Sequence, residues 1–253
     1  MLLNKQLAKH YKSSSQKIRV ITETWVGQEM FCPSCGAQIN QYENNRPVAD
    51  FYCPVCSEDF ELKSKKGIFG NKITNGAYNT LINRLKESHN PNLFLLGYDL
   101  KSYEITNFLV IPKHFFVPEI IEKRKPLSQT AHRAGWIGCN IVLQNIPQAG
   151  RIFYIKNTNL VPKKSVLENW EKTTFLRKEP NTTVRSWILD IMICLDKLGK
   201  KEFSLSDIYH FEDDLRQKHP RNQHIKDKIR QQLQVLRDNG YLLFLGRGKY
   251  RVV

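Results

Sequence analysis

Short β-branched and aromatic runs alternate with stretches of helical spacing through the first 180 residues of the chain. Leu93 to Tyr98, Phe108 to Ile111 and Ile152 to Ile155 have the length and composition of strands. Phe60-Glu61-Leu62-Lys63 alternates apolar and charged positions, as a half-buried strand does, so Glu61 and Lys63 point to one face. Helical spacing predicts a helix over residues 2–26, with Leu3, Leu7, Tyr11, Ile18, Ile21 and Trp25 on a stripe interrupted by Ser13-Ser14-Ser15-Gln16. A further helix is predicted over residues 75–85, with Ala77, Leu81, Ile82 and Leu85 inward. Helices interleaved with strands make a mixed α/β core.

The polar, proline-bearing run Glu179-Pro180-Asn181-Thr182-Thr183 reads as a linker and divides the chain into domains at 1–180 and 181–253. Beyond it the pattern predicts a winged helix-turn-helix. A helix from Ser186 to Leu198 turns Trp187, Ile188, Ile191, Leu195 and Leu198 inward and stops at Gly199. Phe203-Ser204-Leu205 is a short strand, and Ser206 caps a second helix that carries Ile208, Phe211 and Leu215 and ends at His219-Pro220. A third helix over residues 222–238 buries Ile225, Ile229, Leu233 and Leu236. Its outward positions are Gln223, His224, Lys226, Lys228, Arg230, Gln231, Gln232 and Gln234, residue types that read base edges in a major groove. Tyr241 to Val252 folds as a hairpin, a wing with Arg247 and Lys249 at its tip.

Charge selects the partner. The 39 Lys and Arg against 24 Asp and Glu give a formal charge of +15, which suits a polyanion better than an acidic small molecule. Residues 221–253 hold eight basic and two acidic side chains while residues 181–220 hold six and seven, so one end of the second domain meets the anion. Winged helices also bind proteins; this charge favours duplex DNA. No secretory signal or apolar run of bilayer length is present, so a membrane role is not expected and a cytosolic protein is. In Ser64-Lys65-Lys66-Gly67 the two lysines form a basic turn suited to phosphate contact, or a solvated charge run. Trp136, in Gly135-Trp136-Ile137-Gly138, can offer its ring to a base or pack in the core.

Cys32-Pro33-Ser34-Cys35 and Cys53-Pro54-Val55-Cys56 pair two C-x2-C motifs across 17 residues, within the spacing of a four-thiolate zinc site. Two disulfides are the alternative, but cytosolic thiols stay reduced. Four thiolates close the zinc shell and give it a structural role. Cys139 and Cys194 stand alone in apolar surroundings and read as core; none of the seven histidines has ligand or triad spacing.

The second knuckle falls between Asp50 and Glu61, and Asp50, then ten residues, then Glu61-Leu62-Lys63 is the grouping a magnesium-dependent nuclease uses. Two carboxylates and the Leu62 main-chain carbonyl can supply oxygens to a hard cation, with water and phosphate completing its shell. Lys63 can position the attacking water or neutralise charge on the transition state. An ordinary strand with a solvated Glu and Lys face has the same pattern.

The run Glu43 to Cys53, with Phe60 to Gly67, Arg133 to Asn140 and His224 to Leu236, resembles the DpnI-type family of methyl-directed restriction endonucleases over nearly the whole chain. The resemblance implies a PD-(D/E)xK nuclease core with an embedded zinc ribbon at 32–56 and a C-terminal winged helix. It implies a type IIM enzyme of the bacterial cytoplasm, a monomer that cleaves double-stranded DNA at GATC carrying N6-methyladenine. Asp50 and Glu61 fall on the metal carboxylates, Lys63 on the catalytic lysine, and Cys32, Cys35, Cys53 and Cys56 on the zinc ligands. Pro47 stands three residues before Asp50, a departure from the nominal motif. A zinc-containing transcription regulator without catalysis, or a nuclease without methyl readout, are the competing functions.

Overall fold

The computed structural model describes residues 1–43, 49–86 and 90–253, so Pro47, Val48 and His89 lie outside the described residues. A seven-stranded sheet has the order β1 (Asn40–Gln41), β2 (Phe51–Tyr52), β3 (Asp59–Lys66), β5 (Asn92–Tyr98), β6 (Ile105–Ile111), β9 (Ile152–Lys156), β10 (Asn159–Leu160). A three-stranded sheet joins β4 (Lys72–Ala77), β8 (Gly138–Val142) and β7 (Ile121–Lys123). Strands β3 and β5 run parallel, connected through β4 and helix α2 (Tyr78–Lys86).

Side chains alternate across a strand, which splits Leu93-Phe94-Leu95-Leu96 between two cores. Phe94 and Leu96 join Trp25, Phe60, Phe108 and Trp170, on the side of α1 (Ser14–Glu29) and α3 (Lys163–Glu171). Leu93 and Leu95 join Leu81, Leu85, Leu109 and Ile141. Both faces are covered, so the run is apolar without a break.

In the first region two helices differ from expectation. Instead of one helix over 2–26, a 3-10 turn at Lys5–Ala8 precedes α1, and Leu7 and Tyr11 are exposed. The serine run starts a helix, with Ser13 extended just before it, because Ser favours helix entry over interior. Residues 75–77 belong to β4, where the register shifts between Asn75 and Ala77; Gly76 therefore marks a bulge and α2 begins at Tyr78. Ser64, Lys65 and Lys66 lie within β3, so the turn begins only at Gly67, whose φ is +74°.

The C-terminal region consists of α4 (Thr182–Leu198), β11 (Glu202–Ser204), α5 (Leu205–Tyr209), α6 (Glu212–Lys218), α7 (Ile225–Asp238) and the hairpin β12 (Leu242–Gly246), β13 (Lys249–Val252), with sheet order β11-β13-β12. Helix α4 begins earlier than expected because the Asn181 side chain accepts the amides of Thr183 (2.9 Å) and Val184 (3.3 Å), turning the end of the linker into an N-cap. Ser204, not Ser206, caps α5, in a reciprocal capping box with Asp207. The second helix is broken into α5 and α6. Gln223 and His224 precede α7, and Gln232 is buried at 1% exposure instead of facing outward.

Helix α4 is buried continuously from Ser186 to Leu195, more than one amphipathic face requires. It has two partners. Trp187, Ile188 and Ile191 share a single apolar cluster with Ile229 and Leu233 of α7 and with Phe115, Phe116, Ile141 and Ile146 of the first region. Across the joint Asp196 Oδ2 accepts the Gln148 amide at 2.7 Å, Arg185 Nη2 donates to the Phe116 carbonyl at 3.3 Å, and Phe175 meets Tyr241 with ring centroids 6.4 Å apart. Among the described residues no helix is long and apolar enough to cross a membrane.

Candidate active site and metal centre

Strand pairing brings the distant carboxylates together. The Asp50 amide donates to the Phe60 carbonyl at 2.9 Å, closing the β2–β3 hairpin, and Asp50 Oδ2 accepts the Leu62 amide at 2.6 Å. On β3 the Lys63 Nζ lies 2.6 Å from Glu61 Oε1, as two residues on one strand face should. Burial pushes the Asp50 carboxyl above its ordinary range; the Leu62 amide opposes this, the Glu61 charge adds to it, and Lys63 and Arg19 pull it back. The three expected residues therefore share one small space. Two carboxylates, one of them held up by burial and its neighbour's charge, are the oxygen donors a hard divalent cation takes.

Several neighbours come from other elements. Arg84 of α2 places Nη2 3.8 Å from Glu61 Oε2. Glu23 of α1, 7% exposed, receives Arg19 Nε at 2.7 Å and Gln41 Nε2 at 3.1 Å. Burial raises the Glu23 carboxyl, the Arg19 contact opposes the rise, and the Asp50 charge adds to it. Sequence reasoning missed these residues. Arg19 and Glu23 look like any i,i+4 surface pair, whereas Arg84 follows Leu81 by three positions, a spacing that already puts it near the inward face.

The four cysteine thiols converge, all Sγ atoms lying within 4.8 Å of one another, with Cys32 to Cys56 and Cys35 to Cys53 at 3.4 Å. A tetrahedron with zinc–sulfur bonds of about 2.3 Å has edges of roughly 3.8 Å, so the cluster fits that ion. Backbone amides support anionic sulfur. Burial pushes the Cys32 thiol up while the Ser34 and Cys35 amides work against it, and at Cys53 the Val55 and Cys56 amides prevail over burial and hold the thiol low. No disulfide is formed. The cysteine-bearing segment is tied to α3 where Lys163 Nζ donates to the Gly36 carbonyl at 2.6 Å. Cys139 and Cys194 are buried, as expected of core residues.

Trp136 lies in the segment between β7 and β8, half-buried, with the Arg133 guanidinium 4.8 Å from its ring centre. A Cβ at Gly138 would come within 2.8 Å of that ring, so glycine is what lets the indole lie against the strand. The segment leads into β8, where burial raises the Cys139 thiol and the charges of Arg84, Glu61, Lys63 and Arg124 all act on it. Lys65 and Lys66 are exposed at the end of β3. In the C-terminal region Gln223, His224, Lys226, Arg230, Gln231, Gln234, Arg247 and Lys249 are exposed and Lys228 is half-buried. Lys226 pairs with Glu212 at 3.3 Å, Arg230 with Asp227 at 3.4 Å, and Lys228 with Gln231 at 2.8 Å. Exposed contacts of this kind stabilise by less than about 1 kcal/mol and can exchange for phosphate.

The fold and cysteine cluster define a mixed α/β protein with a site able to hold a structural metal and a C-terminal helix-turn-helix. The family model described as DpnI, Dam-replacing family, matches residues 1–179, and that of the Dam-replacing HTH domain matches residues 183–252. The chain belongs to the Dam-replacing family. Membership implies a methylation-dependent restriction endonuclease that binds DNA.

Proposed function

We propose that the chain is a type IIM PD-(D/E)xK endonuclease that hydrolyses double-stranded DNA at GATC carrying N6-methyladenine, as a monomer in the bacterial cytoplasm. Residues 1–180 are the nuclease domain and residues 181–253 a winged-helix reader. The reading rests on one observation: Asp50, Glu61 and Lys63 converge, with Asp50 bound to the Leu62 amide and Lys63 to Glu61.

Asp50, Glu61 and the Leu62 carbonyl would hold Mg2+, and the four cysteines Zn2+. When bound, magnesium supplies Lewis acidity toward the phosphate and lowers the pKa of water. The chain's own groups do the rest. In hydrolysis a water oxygen bonds to phosphorus, its proton leaves to solvent, one bridging P–O bond breaks, and the departing oxygen takes a proton. Lys63, released from Glu61, orients the water and offsets the negative charge that grows on phosphorus. Lys65 and Lys66 hold the neighbouring backbone, while the α7 face and the wing dock a duplex through base edges and phosphates.

The test uses methylated and unmethylated GATC plasmids with magnesium, for the natural chain and Glu61→Ala. Methyl-dependent cuts that vanish in the variant, with duplex binding retained, are expected. Methyl-independent cuts would support a nuclease without methyl readout. Binding with no cuts by the natural chain would support a regulator.

A further inference from the structure

We infer that Arg84 is a catalytic residue whose guanidinium grips the phosphate at the scissile bond, an inference that rests on the nuclease reading above. Helix α2 is anchored by Leu81 and Leu85, at 3% and 6% exposure. Arg84, beside them, is drawn inward with a side-chain exposure of 19%. Its guanidinium ends 3.8 Å from Glu61 Oε2, outside hydrogen-bond range, and its Nε is buried with no hydrogen-bond partner. An arginine fork carries five N–H donors in a plane that matches carboxylate or phosphate. Leaving the Nε donor buried and unmet carries a desolvation cost. A ligand with oxygens in that position would remove this cost, and in a nuclease site the incoming oxygens belong to phosphate.

Charge balance points the same way. Asp50, Glu61 and Lys63 together carry one net negative charge. A divalent cation added to a doubly negative pentacoordinate phosphate leaves the site one negative charge in excess. Arg84 neutralises it when the second phosphate charge develops. A cation matched to the transition state more than to the ground state accelerates the step.

The experiment compares the full natural chain with Arg84→Ala and Arg84→Lys. It measures single-turnover cleavage of a methylated GATC duplex in magnesium, affinity for that duplex without metal, Mn2+ binding to the protein alone by electron paramagnetic resonance, and rescue by guanidinium ion. Arg84→Ala should cut about 100-fold or more slowly. It should bind Mn2+ at least as well as the natural chain, because a cation beside Glu61 has gone, and hold the duplex within about threefold. Millimolar guanidinium should restore part of its rate, and Arg84→Lys should recover part without it. Unchanged cleavage, or Mn2+ binding lost in step with the rate, would overturn the assignment; the second result would make Arg84 a brace for Glu61. A natural chain that does not cut in magnesium removes the nuclease reading and this inference with it.

Discussion

His114 shows how the joint between the two regions is balanced. Its ring is buried at 3% exposure, Arg177 Nε donates to Nδ1 at 3.3 Å, and Nε2 meets the Thr173 hydroxyl at 3.1 Å. Burial holds the imidazole well below 6.5, helped by the charges of Arg177, Arg185 and Lys113. The folded state therefore refuses a proton that the unfolded chain accepts, and stability falls as pH drops below about 6.5. Glu58 acts lower on the scale. Burial alone would raise its carboxyl, yet Asn92, Arg177 and Lys113 hold it below 4.5, so its stabilisation is intact above that value and is lost as pH falls through the lowered one. Melting temperature measured from about pH 8 to pH 5 should fall below pH 6.5 in the natural chain and fall less in His114→Asn; a flat natural profile would contradict the burial argument. At this scale Asp50, Glu61 and Lys63 were legible because their spacing encodes a hairpin. Glu23 and Arg84 were not, since α1 and α2 deliver them from other parts of the chain.

At the level of elements, the four-cysteine cluster and the hairpin that carries Asp50 and Glu61 are one piece of backbone. Cys53 donates its amide to the Glu58 carbonyl at 2.8 Å, between the Asp50–Phe60 closure and the knuckle. A four-thiolate zinc site contributes on the order of 10 kcal/mol of local folding free energy, comparable with the whole stability of a domain. We expect Cys53→Ser to lose zinc, measured by atomic absorption, and to lose cleavage by about 100-fold or more, with the helical circular dichroism largely kept. Full cleavage by a zinc-free preparation would break the link. The strands and α7 were readable because their apolar periods are strong. Residues 75–77 were misread because Asn-Gly-Ala at a bulge carries no period, and the α5 cap was misplaced because Ser204 and Ser206 are both good caps until Asp207 completes the box.

For the molecule as a whole, the linker reading of residues 179–183 concealed a shared core. Val117 and Ile120 face Ser186, Leu189 and Asp190 across a cavity of about 150 Å3, and α4 belongs to both regions. Cutting the chain at residue 180 would expose several buried apolar side chains at about 1.5–3 kcal/mol each, so methyl readout is better probed by substitution. One methyl in an apolar pocket discriminates by only about 10- to 200-fold, whereas two independent readers multiply. Trp136→Ala and Gln231→Ala should each lower the ratio of methylated to unmethylated cleavage, and the double variant should lower it by about the product of the two. Ratios unchanged in both would rule out methyl readout by both Trp136 and the third helix. The shared helix also bears on how such enzymes can be re-targeted. A chimera that grafts a foreign helix-turn-helix after residue 180 inherits an open greasy seam on its N-terminal part, unless the graft's first helix is apolar on its back as well as its front.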